Sequence, residues 1–120
     1  MNVVLDTNIA LYFMGDKLAE PLPNGIYYVS VITEMELLSY HALQSTEEQK
    51  IKAFLKHINI IGLTPEIKTK AIYLRQTYKL KLPDAIIAAT AILLKAKFIT
   101  NDSQLHHISE LETQSMTVNF

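Results

Sequence analysis

Of four notable carboxylates in this chain, three stand where a short apolar run stops or where an apolar helix begins. Asp6 ends the run Val3-Val4-Leu5 in VVLDTN, Glu36 lies within VSVITEMELL, Asp84 follows Pro83 in LPDAIIAATAILL, and Asp102 sits in FITNDSQL. Each acid has an ordinary structural use. Asp6 can initiate a turn and cap a helix near Asn8, and Glu36 stands three residues after Thr33, the spacing of a capping box. Asp84 opens a helix, where an acid in the first turn gains typically about 0.3–1 kcal/mol from the helix dipole. Asp102 can cap the helix that follows it. Glu34 competes with Glu36: residues two apart on a helix are turned by roughly 200 degrees, so the two acids face different ways. The local pattern does not choose between them.

Taken together, the acids point to one chemistry. Three of them follow strands or open inward-facing helices, which would gather them on one rim of a sheet. Carboxylates crowded within several ångströms raise one another's pKa at a cost in stability. A divalent cation relieves that repulsion. With oxygen donors only, no cysteine and no closely spaced histidine pair, the set favours a hard ion, Mg²⁺ or Mn²⁺, over zinc. An acidic rim holding such an ion suits hydrolysis of a phosphodiester: metal-bound water attacks, and the ion stabilises charge on phosphorus and on the leaving oxygen.

The elements that must position these acids can be read from periodicity. Val3 to Leu5 is a continuous apolar run, as in a strand covered on both faces of a parallel sheet. Asn8 is expected to cap a short helix over Ile9 to about Met14, ended by Gly15 and Asp16. Ile26 to Val29 reads as a second strand. Ser30 or Thr33 caps the next helix, with Met35, Leu37 and Leu38 at helical spacing. Thr46 and Gln49 have capping-box spacing at the start of a helix whose inner stripe is Ile51, Phe54, Leu55 and Ile58. INIIGL is a third strand. Thr64-Pro65-Glu66 is a strong helix start, and that helix runs to about Tyr78. Leu82 to Ala96 is helical and almost wholly apolar, so it packs on the sheet. KFIT is a fourth strand, NDSQLHHI a turn into a short helix, and MTVNF a closing strand. Strands alternating with helices imply an α/β fold with a mainly parallel sheet and helices on both faces, and sites in such sheets lie beyond the carboxyl ends of the strands.

The totals agree with one packed domain over residues 1–120. Hydrophobic residues make up 49% of the chain, with 3 glycines and 4 prolines. The absence of cysteine excludes disulfides, thiolate metal sites and a cysteine nucleophile, and suits a reducing cytoplasm. The longest apolar stretch, Ala85 to Leu94 with Thr90 inside it, is about half of the roughly 20 residues needed to cross a membrane. Charge is uneven although the net is only -1. Gln49 to Lys97 carries ten of the eleven basic residues against Glu66 and Asp84, leaving +8, while the flanks carry Lys17 and ten acids, leaving -9. Such asymmetry fits a polyanion approaching one side, with Lys68, Arg75 and Lys79 on one helical face. His41, His57, His106 and His107 read as surface or half-buried structural residues, and Tyr12, Tyr27, Tyr28 and Tyr73 as core or rim.

In order and spacing, VVLDTN, VSVITEMELL, LPDAIIAATAILL and FITNDSQL resemble the acidic motifs of PIN-domain nucleases, particularly the compact VapC-like toxins of bacterial toxin–antitoxin pairs. The resemblance spans Val3 to about Leu105. It implies a three-layer α/β/α PIN-like domain that cleaves RNA with Mg²⁺ or Mn²⁺, often as a homodimer held inactive by a cognate antitoxin. Asp6, Glu36, Asp84 and Asp102 match the family's metal-binding acids. Its T-x-x-E-L pattern falls on Thr33, Glu36 and Leu37, which selects Glu36 over Glu34. Thr7 and Asn8 match the polar residues supporting the first acid, and Thr100 the hydroxyl before the last. Two departures lie outside this set: Ser39-Tyr40 replaces a glycine common after the second acid, and Leu105 replaces an aromatic after the last.

The leading expectation is therefore a metal-dependent endoribonuclease of the toxin type. The alternative is a catalytically weak or inactive PIN-like module that binds RNA or protein. A phosphatase with Asp6 as nucleophile is disfavoured, because such enzymes usually carry a second acid two residues on and position 8 is Asn.

Overall fold

A computed structural model of the chain describes residues 1–40 and 43–120; the expectation for His41 lies outside them. The elements run β1 (Asn2–Leu5), α1 (Thr7–Met14), β2 (Ile26–Ser30), α2 (Val31–Leu38), α3 (Ser45–Lys56), β3 (Asn59–Ile61), α4 (Pro65–Tyr78), α5 (Leu82–Leu93), β4 (Lys97–Ile99), a single 3₁₀ turn (Leu105–His107) and β5 (Glu112–Gln114). The five strands form one sheet in the order β3-β2-β1-β4-β5, and every pairing is parallel.

β1 is the middle strand, and its alternation assigns the two cores. Val3 and Leu5 face one side with Ile9, Leu37, Ile51, Leu55 and Ile99. Val4 faces the other with Leu74, Ile87, Phe98, Leu105 and Ile108. Both faces are dry, which is why this strand is apolar at every position rather than at alternate ones. Helices α1 and α3 cover the first face, α4 and α5 the second, giving the expected three layers. The division follows from connectivity: β1 to β2 to β3 steps one way across the sheet, and the return to β4 reverses direction. A right-handed crossover must then lie on the opposite face. α5 sits tightly there because Ala85, Ala88, Ala89 and Ala91 are all fully buried.

The reversal makes β1 and β4 a topological switch point, where chains leave the adjacent carboxyl ends in opposite directions and open a crevice. The Asp6 N–H bonds the Ile99 carbonyl at 3.0 Å and the Thr100 N–H bonds the Gln114 carbonyl at 3.0 Å. The ladder thus delivers Asp6 and Thr100 to the same rim.

Several expected boundaries differ. α1 begins at Thr7 with Asp6 as its cap, not after Asn8; an aspartate beside the first turn accepts the Thr7 N–H before Asn8 can serve. Ser30 caps α2, and Thr33 is buried inside it. α3 starts at Ser45 after Gln44, with no side-chain cap, so the Thr46–Gln49 box does not form. Met35 and Leu38 are exposed and only Leu37 of that trio is buried. The last strand is Glu112–Gln114, whereas the MTVNF segment contributes a single antiparallel bridge, Leu18 to Val118. α4 matches its expected limits, with the Thr64 hydroxyl oxygen accepting the Ile67 N–H as the cap and Lys79 closing the helix in the left-handed conformation. Among the described residues no helix is long and apolar enough to cross a membrane.

Gly25, just before β2, lies close against the start of the chain leading into β1. A Cβ there would stand 2.8 Å from the Met1 carbonyl oxygen and 3.0 Å from Val3 Cγ2, whereas one at Gly62 would meet nothing within 4 Å. Gly25→Ala should therefore destabilise the protein by about 1–3 kcal/mol through backbone displacement. Gly62→Ala should stay within roughly 0.5 kcal/mol of the parent. Urea unfolding of the two variants checks this.

Candidate active site

Asp6 is the first residue beyond β1, and its two oxygens are already engaged. Oδ1 accepts the Thr7 N–H at 2.8 Å, and Oδ2 accepts the Thr100 hydroxyl at 2.6 Å. Thr100 is fully buried, and its oxygen also accepts the Asp102 N–H at 3.1 Å. One hydroxyl therefore fixes both the first acid and the backbone of the last. Asp102 is exposed and accepts the Gln104 N–H at 3.0 Å, closing its turn.

Glu36 is held from the other side. The Thr7 hydroxyl donates to Glu36 Oε1 at 2.7 Å and lies 2.9 Å from the Thr33 hydroxyl. A carboxylate only accepts, so Thr7 spends its single proton on Glu36 and Thr33 donates to Thr7. Glu36 consequently makes no capping box, and Thr7, expected to support Asp6 by its side chain, supports Asp6 by its N–H and Glu36 by its hydroxyl. Glu34 takes no part in these bonds. Asn8 is exposed and makes no side-chain hydrogen bond among the described residues. Asp84 enters from the first turn of α5, on the opposite helical layer.

The four acids are close enough to feel one another. Burial pushes the Asp6 carboxyl up; the Thr100 hydroxyl and Thr7 N–H pull it down, and the charges of Asp102 and Glu36 push it up again, leaving it raised. Asp84 is raised first by burial and then by Asp6, Asp102 and Glu36, with Lys81 alone opposing. Burial and the Glu36 charge likewise raise Tyr40, which places that phenol beside the cluster. Clustered acids with raised pKa values are a mark of functional sites.

The donor chemistry fits a hard cation, and the geometry is open. Among the described residues, no three acids or histidines are placed to hold one ion between them. None of the four acids lines the larger surface cavities. Mg²⁺ commonly takes only one or two protein carboxylates and fills its remaining positions with water and phosphate oxygens, which is the kind of site this rim offers.

Two residues with no local signal also support the rim. The Asn101 side chain donates to the Met116 carbonyl and accepts the Met116 N–H, both at 2.8 Å. His106 bonds the Thr100 carbonyl at 2.8 Å and the Thr113 hydroxyl at 2.7 Å. The basic segment is partly committed elsewhere: Lys70 pairs with Glu110, Lys52 with Glu48, and Arg75 Nε donates to the Leu80 carbonyl.

A family model described as PIN domain matches residues 3–111. The chain belongs to the PIN domain family. Solved structures agree. A toxin–antitoxin complex from Klebsiella pneumoniae is 34% identical, with a TM-score of 0.74 over 91% of this chain and 94% of that one. VapBC2 from Rickettsia felis, bound to a DNA fragment from its promoter, is 20% identical with a TM-score of 0.78, covering 98% of this chain and 100% of its counterpart. VapBC-1 from nontypeable Haemophilus influenzae is 24% identical with a TM-score of 0.76, covering 96% and 98%. The two less identical structures share the PIN fold. No curated protein matches the chain.

Two outcomes follow from the geometry. Thr100→Val strips a buried carboxylate of a donor and should cost about 2 kcal/mol in urea unfolding, with Thr100→Ser keeping most of it. Because Asp84 is raised, its ionisation opposes folding: the penalty is absent below the unfolded carboxyl value of about 3.9 and grows as pH rises through the raised folded value. Metal-free Asp84→Asn should thus melt a few degrees above the parent at neutral pH, the gap closing toward about pH 4.

Proposed function

We propose that this PIN domain is a divalent-metal-dependent endoribonuclease and the toxin of a toxin–antitoxin pair. The observation that carries the proposal is the convergence of Asp6, Glu36, Asp84 and Asp102 on one rim at the β1/β4 switch point, with two carboxyls raised by burial and mutual repulsion. Within this reading those four acids hold Mg²⁺ or Mn²⁺, and Thr7, Asn8 and Thr100 support them. PIN domains of VapC toxins are nucleases generally, and they generally use divalent metals. A bound ion would supply Lewis-acid stabilisation at phosphorus and a water of lowered pKa.

The chain's own groups have defined tasks. Thr100 presents Asp6 with its Oδ2 satisfied, so that burial does not protonate it as readily as desolvation alone would. Thr7 locks Glu36 through Oε1 and leaves Oε2 without a hydrogen-bond partner among the described residues. Asp84 makes no side-chain hydrogen bond among the described residues, which leaves both its oxygens free to ligate. Lys81 draws the Asp84 carboxyl down and, within this reading, would meet a substrate phosphate.

The likeness to toxin–antitoxin complexes supports a cognate antitoxin as partner; RNA as substrate and a second copy of the chain as a homodimer belong to the proposal. A cytoplasmic location fits RNA as substrate.

A second reading is favoured by one observation, that among the described residues no three acids are poised on a single ion: a PIN module that binds RNA or protein without cutting. The purified protein separates the two. The nuclease cuts RNA with Mg²⁺ or Mn²⁺, is silent in EDTA, and loses about 100-fold or more on Asp6→Asn, the scale of removing one group that stabilises transition-state charge. Undiminished cleavage by that variant overturns the assignment of Asp6. RNA binding without cleavage, and no heat of Mn²⁺ binding, supports the module.

A further inference from the structure

We propose that His106 is a positioning residue for the acid cluster, clamping the β4 exit so that the Thr100 hydroxyl stays aimed at Asp6 and at the Asp102 backbone. The proposal rests on the nuclease reading for its consequence in catalysis, and on geometry alone for the clamp.

The hydrogen-bond directions fix one of the imidazole's protons. The Thr100 carbonyl can only accept, so His106 Nε2, 2.8 Å away, carries a proton. The Thr113 hydroxyl, 2.7 Å from Nδ1, bonds that nitrogen as donor or as acceptor, so the second ring nitrogen is engaged as well. His106 is thereby held at both ring nitrogens, one by the end of β4 and one by β5. Its neighbour His107 is exposed and makes no side-chain hydrogen bond among the described residues.

What the ring ties down is one short turn. Thr100 sits at the turn's start and His106 at its end, and Asp102 lies between them. Thr100 uses every polar group it has: its N–H goes to Gln114, its carbonyl to His106, its hydroxyl to Asp6, and its oxygen receives the Asp102 N–H. Rotation of the Thr100 peptide would tilt the residue and swing its hydroxyl off a carboxylate 94 residues away in sequence. His106 opposes that rotation directly. Asn101 anchors the same turn to Met116, so the side chains flanking Asp102 are pinned while Asp102 itself stays exposed. Groups standing behind a carboxylate ligand typically cost about 10–100-fold in metal affinity or activity when removed.

Glutamine places its amide N–H where His Nε2–H stands and so keeps the bond to the Thr100 carbonyl; alanine does not. His106→Ala should lower kcat for RNA about tenfold or more with KM unchanged, and weaken Mn²⁺ binding by calorimetry about tenfold. In metal-free protein it should also speed hydrogen exchange at the Asp102 amide about tenfold, as the bond to Thr100 Oγ1 loosens. His106→Gln restores most of each, and His107→Ala changes none. If His106→Ala does not fold, His106→Gln and Thr113→Val carry the same comparison. Exchange at Asp102 and Mn²⁺ affinity both at parental values in a folded His106→Ala, or a folded His106→Gln as impaired as alanine, overturn the proposal. A parent protein that cuts no RNA removes the nuclease reading, and exchange at Asp102 still decides the clamp.

Discussion

The structure is organised around one costly burial, the carboxylate of Asp6 at the end of the middle strand. β1 has neighbours on both edges and helices on both faces, so the residue that follows it is largely removed from water whatever its type. An ionised group there loses hydration that two hydrogen bonds only partly replace, and the Asp102 and Glu36 charges add to the cost. An apolar residue at position 6 would spare the fold this expense. A position where the fold bears an avoidable electrostatic cost is where function is to be sought.

Threonine hydroxyls manage the cost. One runs from the Asp102 N–H through Thr100 to Asp6, and another from Thr33 through Thr7 to Glu36. Each is directional, because a hydroxyl has one proton to give and the carboxylate takes it. Threonine suits the task better than serine would, since its branched Cβ restricts χ1 and holds the oxygen on line. Thr33 and Thr100 are also fully buried, so no water competes for these protons. The acids are therefore oriented by groups that cannot readily turn away.

Much of this was legible in the sequence, for identifiable reasons. β1 could be read because a doubly covered strand has no polar face, and α4 because Thr64, Pro65 and Glu66 each signal a helix start by a separate mechanism. Asp6, Asp84 and Asp102 stand out as candidates because each interrupts or opens an apolar segment, whereas Glu36 is selected over Glu34 only by the T-x-x-E-L resemblance. The start of α1 reads two residues late because Asn8 is as good a cap by type as Asp6; the structural use offered for Asp6, capping this helix, is the one that holds. β5 was missed because Glu112-Thr113-Gln114 is an edge strand with little apolar patterning; its place is set by pairing with β4. The inward face of α2 was misjudged because eight residues hold too few turns for periodicity to separate Leu37 from Met35 and Leu38. Asn101 and His106 left no signal at all, since their partners are strand ends and backbone groups that come together only in the fold.

Charge supplies the last link between the rim and a polyanion. The basic segment that gives the chain its asymmetry is not a free field of lysines: Lys70 and Lys52 already face acids, and Arg75 braces the turn between α4 and α5. Exposed pairs of this kind hold little energy, roughly 0.2–1 kcal/mol each, so they remain available to a phosphate, but at the acids themselves only Lys81 opposes the negative charge that Asp84 feels. Two unit charges about 4 Å apart interact by about 1 kcal/mol in water and about 4 kcal/mol near a protein surface. A phosphodiester brought to this rim bare would therefore meet repulsion from several carboxylates at once. On the nuclease reading, a divalent ion is needed to admit the substrate before it is needed to activate water, and acids that do not close around an ion leave coordination positions for the phosphate to fill. Ion and RNA should then each strengthen the binding of the other, because binding free energies couple reciprocally.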